Sequence, residues 1–95
     1  MFPKENEHGG EYMELRLDLK RLKAERIAKG YTQEEMANYM GYKDRASYAK
    51  RENGFVNLGA DELAKITEIL EIPIENMYIF FTLTVPEKER NHQSI

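Results

Sequence analysis

The apolar and polar positions of this chain change period along its length. From Met13 to Leu19 they alternate: Met13, Leu15, Leu17 and Leu19 are apolar, and Glu14, Arg16 and Asp18 are charged. A period of two belongs to a strand. Leu15, Leu19 and Leu22 also share a helical face, so an early helix start competes with it. Asp18 makes a sensible N-cap, which favours a strand as far as Leu17. The period then lengthens. A first helix is expected from about Leu19 to Lys29, closed by Gly30, with Leu22, Ile27 and the aliphatic stem of Arg26 on its buried side. A second helix is expected to begin at Thr32. Its hydroxyl caps the helix, and Glu35, three residues on, completes a capping box. Met36 and Met40 are four apart and share a face with Ala37 beside them, and Gly41 ends the helix. Tyr42 and Lys43 make a corner. Asp44 caps a third helix from about Arg45 to Asn53, and Gly54 closes it.

A loop, Phe55 to Leu58, leads to a fourth helix from about Ala60 to Leu70. Leu63, Ile66 and Leu70 share its face, flanked by Ala64 and Ile69. Pro73 suits a first helical turn and opens a short fifth helix, Ile74 to about Tyr78. The run from Tyr78 to Val85 is β-branched and aromatic and reads as a strand that Pro86 stops. A strand near each end invites pairing between them, because a lone strand has nowhere to place its amides. Residues 1–12 are polar, with a Pro and a Gly-Gly pair, and read as a flexible arm. Residues 13–85 form the folded domain, and 86–95 a polar tail. The expected fold class is mainly α: five helices around a small core, with short β extensions at the ends.

Length and charge refine this picture. Ninety-five residues is one domain, and a core this small leaves little surplus stability, so dimerisation would help. The absence of cysteine removes disulfides and thiolate metal sites and fits a reducing cytoplasm. No apolar run reaches the ~20 residues of a membrane span, so no membrane partner is expected. The formal net charge is −3, yet its distribution is uneven. Residues 20–54 hold nine Lys/Arg against five Asp/Glu, while both flanking segments are acidic. The basic charge is concentrated on the second and third helices and the helix before them, the footprint expected of a nucleic-acid reader. His8 and His92 lie near opposite ends, and nothing pairs a nucleophile with a base, so neither a metal site nor an enzyme nor a cofactor is expected. Tyr39, Tyr42 and Tyr48 read as core and corner packing rather than as a stacking platform for single strands.

Two helices joined by a short Gly-containing turn match the helix-turn-helix description. The pattern Thr-Gln-Glu-Glu-x-Ala-x-x-x-Gly, followed after a short helix by Glu-Asn-Gly, resembles the phage-repressor and Cro-like (XRE-type) helix-turn-helix family. Thr32, Gln33, Ala37, Gly41, Glu52, Asn53 and Gly54 carry the match, over roughly residues 19–78. The resemblance implies a five-helix, lambda-repressor-like DNA-binding domain. It implies a transcriptional regulator that binds a pseudo-palindromic double-stranded operator as a homodimer, with Ile74 to Val85 as either dimer surface or completion of the monomer core. The third helix would enter the major groove. Base contacts would fall to Asp44, Arg45, Ala46 and Lys50, with Ser47 and Ala49 secondary. Phosphate contacts would fall to Gln33, Thr32 and Asn53, with Lys43 and Arg51 adding charge. Arg26 and Glu52 match a buried ion pair that ties the first helix to the reading helix.

The chain departs from the family pattern in four places. The corner after Gly41 is one residue longer than the commonest form. Arg51 stands where an apolar residue is usual, and Tyr48 where an aliphatic one is. The loop after Gly54 begins Phe55-Val56, where many relatives have basic residues. That loop and the acidic ends keep a second reading open: a protein-interaction module on the same fold, such as an antirepressor or an antitoxin-like partner of another protein.

Overall fold

Local chemistry sets the helix boundaries. The structure, a computed structural model, describes residues 13–85. The arm expected at 1–12 and the tail expected at 86–95 lie outside the described residues. Asp18 takes an extended backbone and accepts from the Arg21 amide, starting α1, Leu19–Lys29. Gly30 ends α1 at φ 86°, where its N–H reaches back to the carbonyls of Arg26 and Ile27. A side chain there would meet the steric cost of the left-handed region, about 1–2 kcal/mol. Thr32 opens α2, Gln33–Met40, with both bonds of a capping box to Glu35 present. Gly41, at φ 81°, closes it. Asp44 accepts from the Ser47 amide to start α3, Arg45–Glu52. Asn53 caps that helix with ordinary right-handed angles, and Gly54 follows at φ 88°. In α4, Ala60–Ile69, the first turn is secured from the other direction, with Glu62 accepting from the Gly59 amide at 3.0 Å.

A helical unit, Asp18–Phe80, contains these four helices and a 3-10 helix, Ile74–Phe80. Its core takes Leu22 from α1, Met36, Ala37 and Met40 from α2, Tyr48 and Ala49 from α3, Leu63, Ile66 and Leu70 around α4, and Phe80. Each side chain removed from water here contributes about 1.5–3 kcal/mol for Leu, Ile, Phe or Met. Thr67 joins the core because its hydroxyl donates to the Leu63 carbonyl at 2.8 Å, so that hydroxyl is not left open.

Two expectations are corrected. Ile27 is not buried but 56% exposed. The inward face of α1 is the stripe of Leu22 and Arg26, four apart, and Ile27 is one residue around the helix from it. The strand expected from Tyr78 begins at Phe81 instead. Pro73 supplies the carbonyl that accepts from Asn76 at 2.8 Å, and the helical turns continue to Phe80, whose ring fills the core. Strand preference at Tyr78, Ile79 and Phe80 yields to that burial.

Two strands form the second unit. β1, Glu14–Leu17, and β2, Phe81–Thr84, pair antiparallel in one two-stranded sheet, with Leu15 opposite Leu83 and Leu17 opposite Phe81. No helix among the described residues is long and apolar enough to cross a membrane.

Candidate nucleic-acid interface

The third helix is oriented from inside. Its inward stripe is Tyr48, Ala49 and Glu52, so a carboxylate faces the core. Burial opposes that charge, but hydrogen bonds from Arg26, Gln33 and Tyr48 outweigh it and hold the Glu52 carboxyl below its ordinary range. Arg26 Nε donates to Glu52 Oε2 at 2.8 Å and Nη2 to Oε1 at 3.2 Å, a two-pronged pair that charge and geometry both strengthen. Tyr48 donates its hydroxyl to Oε2 at 2.9 Å, and Gln33 donates Nε2 to Oε1 at 2.9 Å. The remaining Arg26 nitrogen, Nη1, donates to the Tyr31 carbonyl at 2.6 Å. Among the described residues no buried side-chain polar atom lacks a partner. The structure thus brings Arg26 and Glu52 together, and the pair locks α1 to the end of α3. The guanidinium is held above its usual value by its bond to Glu52, and the Tyr48 hydroxyl is pushed far up by burial beside that carboxylate.

The same network reaches the surface. Gln33, the first residue of α2, donates inward to Glu52, and its Oε1 accepts outward from Arg45 Nη1 at 3.1 Å. Arg45 is exposed at the first turn of α3. Buried pair, glutamine and exposed arginine therefore form one hydrogen-bonded chain from core to surface. An open concavity of about 470 Å³ adjoins it, lined by Lys23, Arg26, Thr32, Gln33, Glu34 and Arg45. Lys23, Arg45 and the first turn of α2 converge there and favour an anion, while the charge of Arg26 is already matched by Glu52. Glu34, also in the lining, opposes an anion.

The other expected site residues fall into three groups. Ala46, Lys50, Lys43, Thr32 and Asn53 are exposed, and Ser47 is half-buried. Asp44 and Arg51 are engaged within the helical unit. The Asp44 carboxylate accepts from the Ser47 amide and hydroxyl, both at 2.9 Å, and the amide bond above all keeps its pKa low. Arg51 donates Nε to Glu62 at 3.0 Å and Nη1 to the Ser47 carbonyl at 2.7 Å, with its guanidinium 4.5 Å from the centre of the Tyr42 ring. Tyr42 donates to the same Glu62 oxygen at 2.8 Å, and burial first, then Glu62, pushes its hydroxyl up to about 12. This explains the unusual residue at position 51: it clasps α3 to the start of α4. Ala49 is corrected as a base-contact candidate, because it belongs to the inward stripe and is buried.

Lys23 lines the same concavity and was not among the expected site residues. Its signal was available: it lies three residues before Arg26, so the two share a side of α1. The tyrosines divide. Tyr48 is core, Tyr42 lies under Arg51, and Tyr39 meets the Tyr31 ring edge-on at 5.2 Å. Among the described residues, no group of His, Cys, Asp or Glu is placed to hold a metal ion.

This arrangement is that of a helix-turn-helix protein, with α2 and α3 at a capped corner and the N-terminal turn of α3 presented to solvent. The sequence model of the helix-turn-helix family matches residues 22–76, more than half of the chain, and the chain belongs to this family in its XRE-type, Cro-like form. Its domain is that of a DNA-binding regulator of the XRE type. No curated protein and no solved structure matches the chain.

Proposed function

We propose that this protein is a small transcriptional regulator that reads one double-stranded DNA sequence, in the manner of phage repressor and Cro proteins. The observation that carries the reading is Arg45: exposed on the first turn of α3 and steadied by Gln33, which is itself fastened to the buried Arg26–Glu52 pair. With α3 in the major groove, the planar guanidinium matches guanine O6 and N7, a contact that discriminates by about 1–3 kcal/mol. Ala46 meets a thymine methyl, and Lys50 reads a base or rests on phosphate. Gln33 and Thr32 at the start of α2, with Lys43 and Asn53, grip the backbone. Lys23 adds a phosphate contact from α1 through the shared concavity. The protein acts in the cytoplasm as a homodimer, on half-sites about 34 Å apart.

Replacing Arg45 with Ala tests this. The expected result is a retained fold, weaker binding, and lost discrimination at one base position of each half-site. Parent-like discrimination across all operator variants would remove Arg45 from the reading role. A second reading is favoured by the loop after α3, where Phe55 is 82% exposed beside Val56. It makes the domain an interaction module whose partner is another protein, with weak DNA affinity. A pull-down with the Phe55→Ser variant distinguishes the two, because only the interaction module loses its partner while DNA affinity stays the same.

A further inference from the structure

The two-stranded unit has a surface that the DNA-reading account does not use. Leu15 and Leu17 of β1 oppose Leu83 and Phe81 of β2, so all four side chains lie on one face of the sheet. Met13 and Val85 continue the alternation one residue beyond the ladder, both at its Glu14–Thr84 end. Leu15 and Leu83 are 52% and 61% exposed. Glu14, Arg16, Thr82 and Thr84 occupy the other face. A two-stranded sheet alone is marginal in water, and three or more strands with an apolar face are needed for independent stability. Among the described residues, the outer edge of β1 has no strand beside it.

The order of residues in β1 indicates what belongs there. Met13-Glu-Leu-Arg-Leu17 reads apolar, acidic, apolar, basic, apolar. Reversed, it is its own charge complement. An antiparallel copy centred on Leu15 sets Leu15 against the partner's Leu15, and Met13 against the partner's Leu17. It also sets Glu14 against the partner's Arg16, twice by symmetry. Shifting that register by two residues in either direction puts Glu14 against the partner's Glu14 or Arg16 against the partner's Arg16. A parallel, in-register copy does both. Directly opposed like charges destabilise a strand pair, and opposite ones stabilise it. Charged side chains on an edge strand usually ward off pairing. Here their order admits one register and penalises its neighbours. Within the single chain the two side chains already meet, Arg16 Nε to Glu14 Oε2 at 3.0 Å in an exposed pair that contributes little alone. The outer edge of β2 carries only Thr82 and Thr84 between its apolar residues and selects no register.

We propose that β1 is the dimerisation strand: two copies of the chain pair antiparallel through β1 about a two-fold axis at Leu15, forming a four-stranded sheet, β2-β1-β1-β2, with one continuous apolar face. The proposal rests on the homodimer of the functional reading and names its interface. The isologous geometry means that each contact is made twice.

The test is charge reversal in the full-length protein, with association measured by sedimentation equilibrium. Glu14→Arg alone places two arginines against each other at both symmetric positions, and Arg16→Glu alone places two glutamates there. Each variant is expected to weaken self-association by about tenfold or more. Mixing the two variants restores opposite charges at both positions, so the mixture is expected to associate with near-parent affinity. The double variant Glu14→Arg/Arg16→Glu is expected to do so alone. Circular dichroism of each variant checks that the helical unit is intact, and recovery in the mixture separates interface repulsion from misfolding. If the parent associates but the single variants do so equally well, the dimer stands and the β1 interface falls. If the parent is monomeric up to millimolar concentration, both fall, and the apolar face belongs to the chain's own terminal segments or to another protein.

Discussion

Removing Arg26 should cost this domain at least a third of its stability. The side chain makes three hydrogen bonds, two to Glu52 and one to the Tyr31 carbonyl, and both charged groups lie out of solvent, at 9% and 0% side-chain exposure. Arg26→Met keeps much of the aliphatic volume and removes all three bonds. Glu52 then remains as a buried carboxylate with only Gln33 and Tyr48 as donors. Breaking a buried pair from one side costs about 3–5 kcal/mol. A helical unit of 63 residues, Asp18–Phe80, has a total stability of about 3–9 kcal/mol at ordinary per-residue values. The loss therefore ranges from a third of the stability to all of it, with a fall in Tm on the order of 15 °C or more. Urea and thermal unfolding followed by circular dichroism give the number. The double variant Arg26→Met/Glu52→Gln should lose less than Arg26→Met alone, since no unpaired charge stays buried. A single variant within about 1 kcal/mol of the parent would refute the reasoning, because the pair would then contribute no more than an exposed one.

Acid should act on the same carboxylate. The folded state holds Glu52 below its unfolded value of about 4.3, so this contribution is fully present above that value and is lost as pH falls through the lower folded one. The parent's stability is expected to drop across that window, and Glu52→Gln, less stable at neutral pH, should show a flatter profile in acid titration of Tm. Gly54→Ala forces a side chain into φ 88° with its Cβ 3.3 Å from Leu19 Cδ1, and should cost about 1–2 kcal/mol in urea unfolding. Lys23→Ala should weaken binding evenly across DNA sequences and lower the salt slope by about one in anisotropy titrations; an unchanged slope would place Lys23 away from the phosphates.

What was legible in the sequence was local. Thr32 with Glu35, Asp18, Asp44, Gly30 and Gly41 act through bonds within a few residues, so spacing alone identifies them. The inward faces of α2 and α4 were legible because Met36 and Met40, or Leu63, Ile66 and Leu70, recur at helical spacing on one face. Ile27 was misjudged because the inward place on α1 belongs to an arginine, which is buried only by virtue of a carboxylate 26 residues away. Phe80 read as strand because its own preference is β, and only the tertiary core decides that the 3-10 turns run on to bury it. At the candidate interface, the exposed place of Arg45 on the first turn of α3 was legible from its position in the motif. Its tether to Gln33, and the diversion of Arg51 to Glu62 and Tyr42, were not. Both depend on how α2, α3 and α4 pack, which no spacing rule encodes.

Fluorescence anisotropy gives the most direct test of specific DNA reading by α3. DNA fragments from around the protein's own coding region would be titrated at two salt concentrations with random competitor present. A specific reader binds one fragment tightly, survives competitor and loses affinity steeply with salt, by a log–log slope of about −0.9 per phosphate neutralised. Weak binding, equal for every fragment and indifferent to salt, would contradict specific reading.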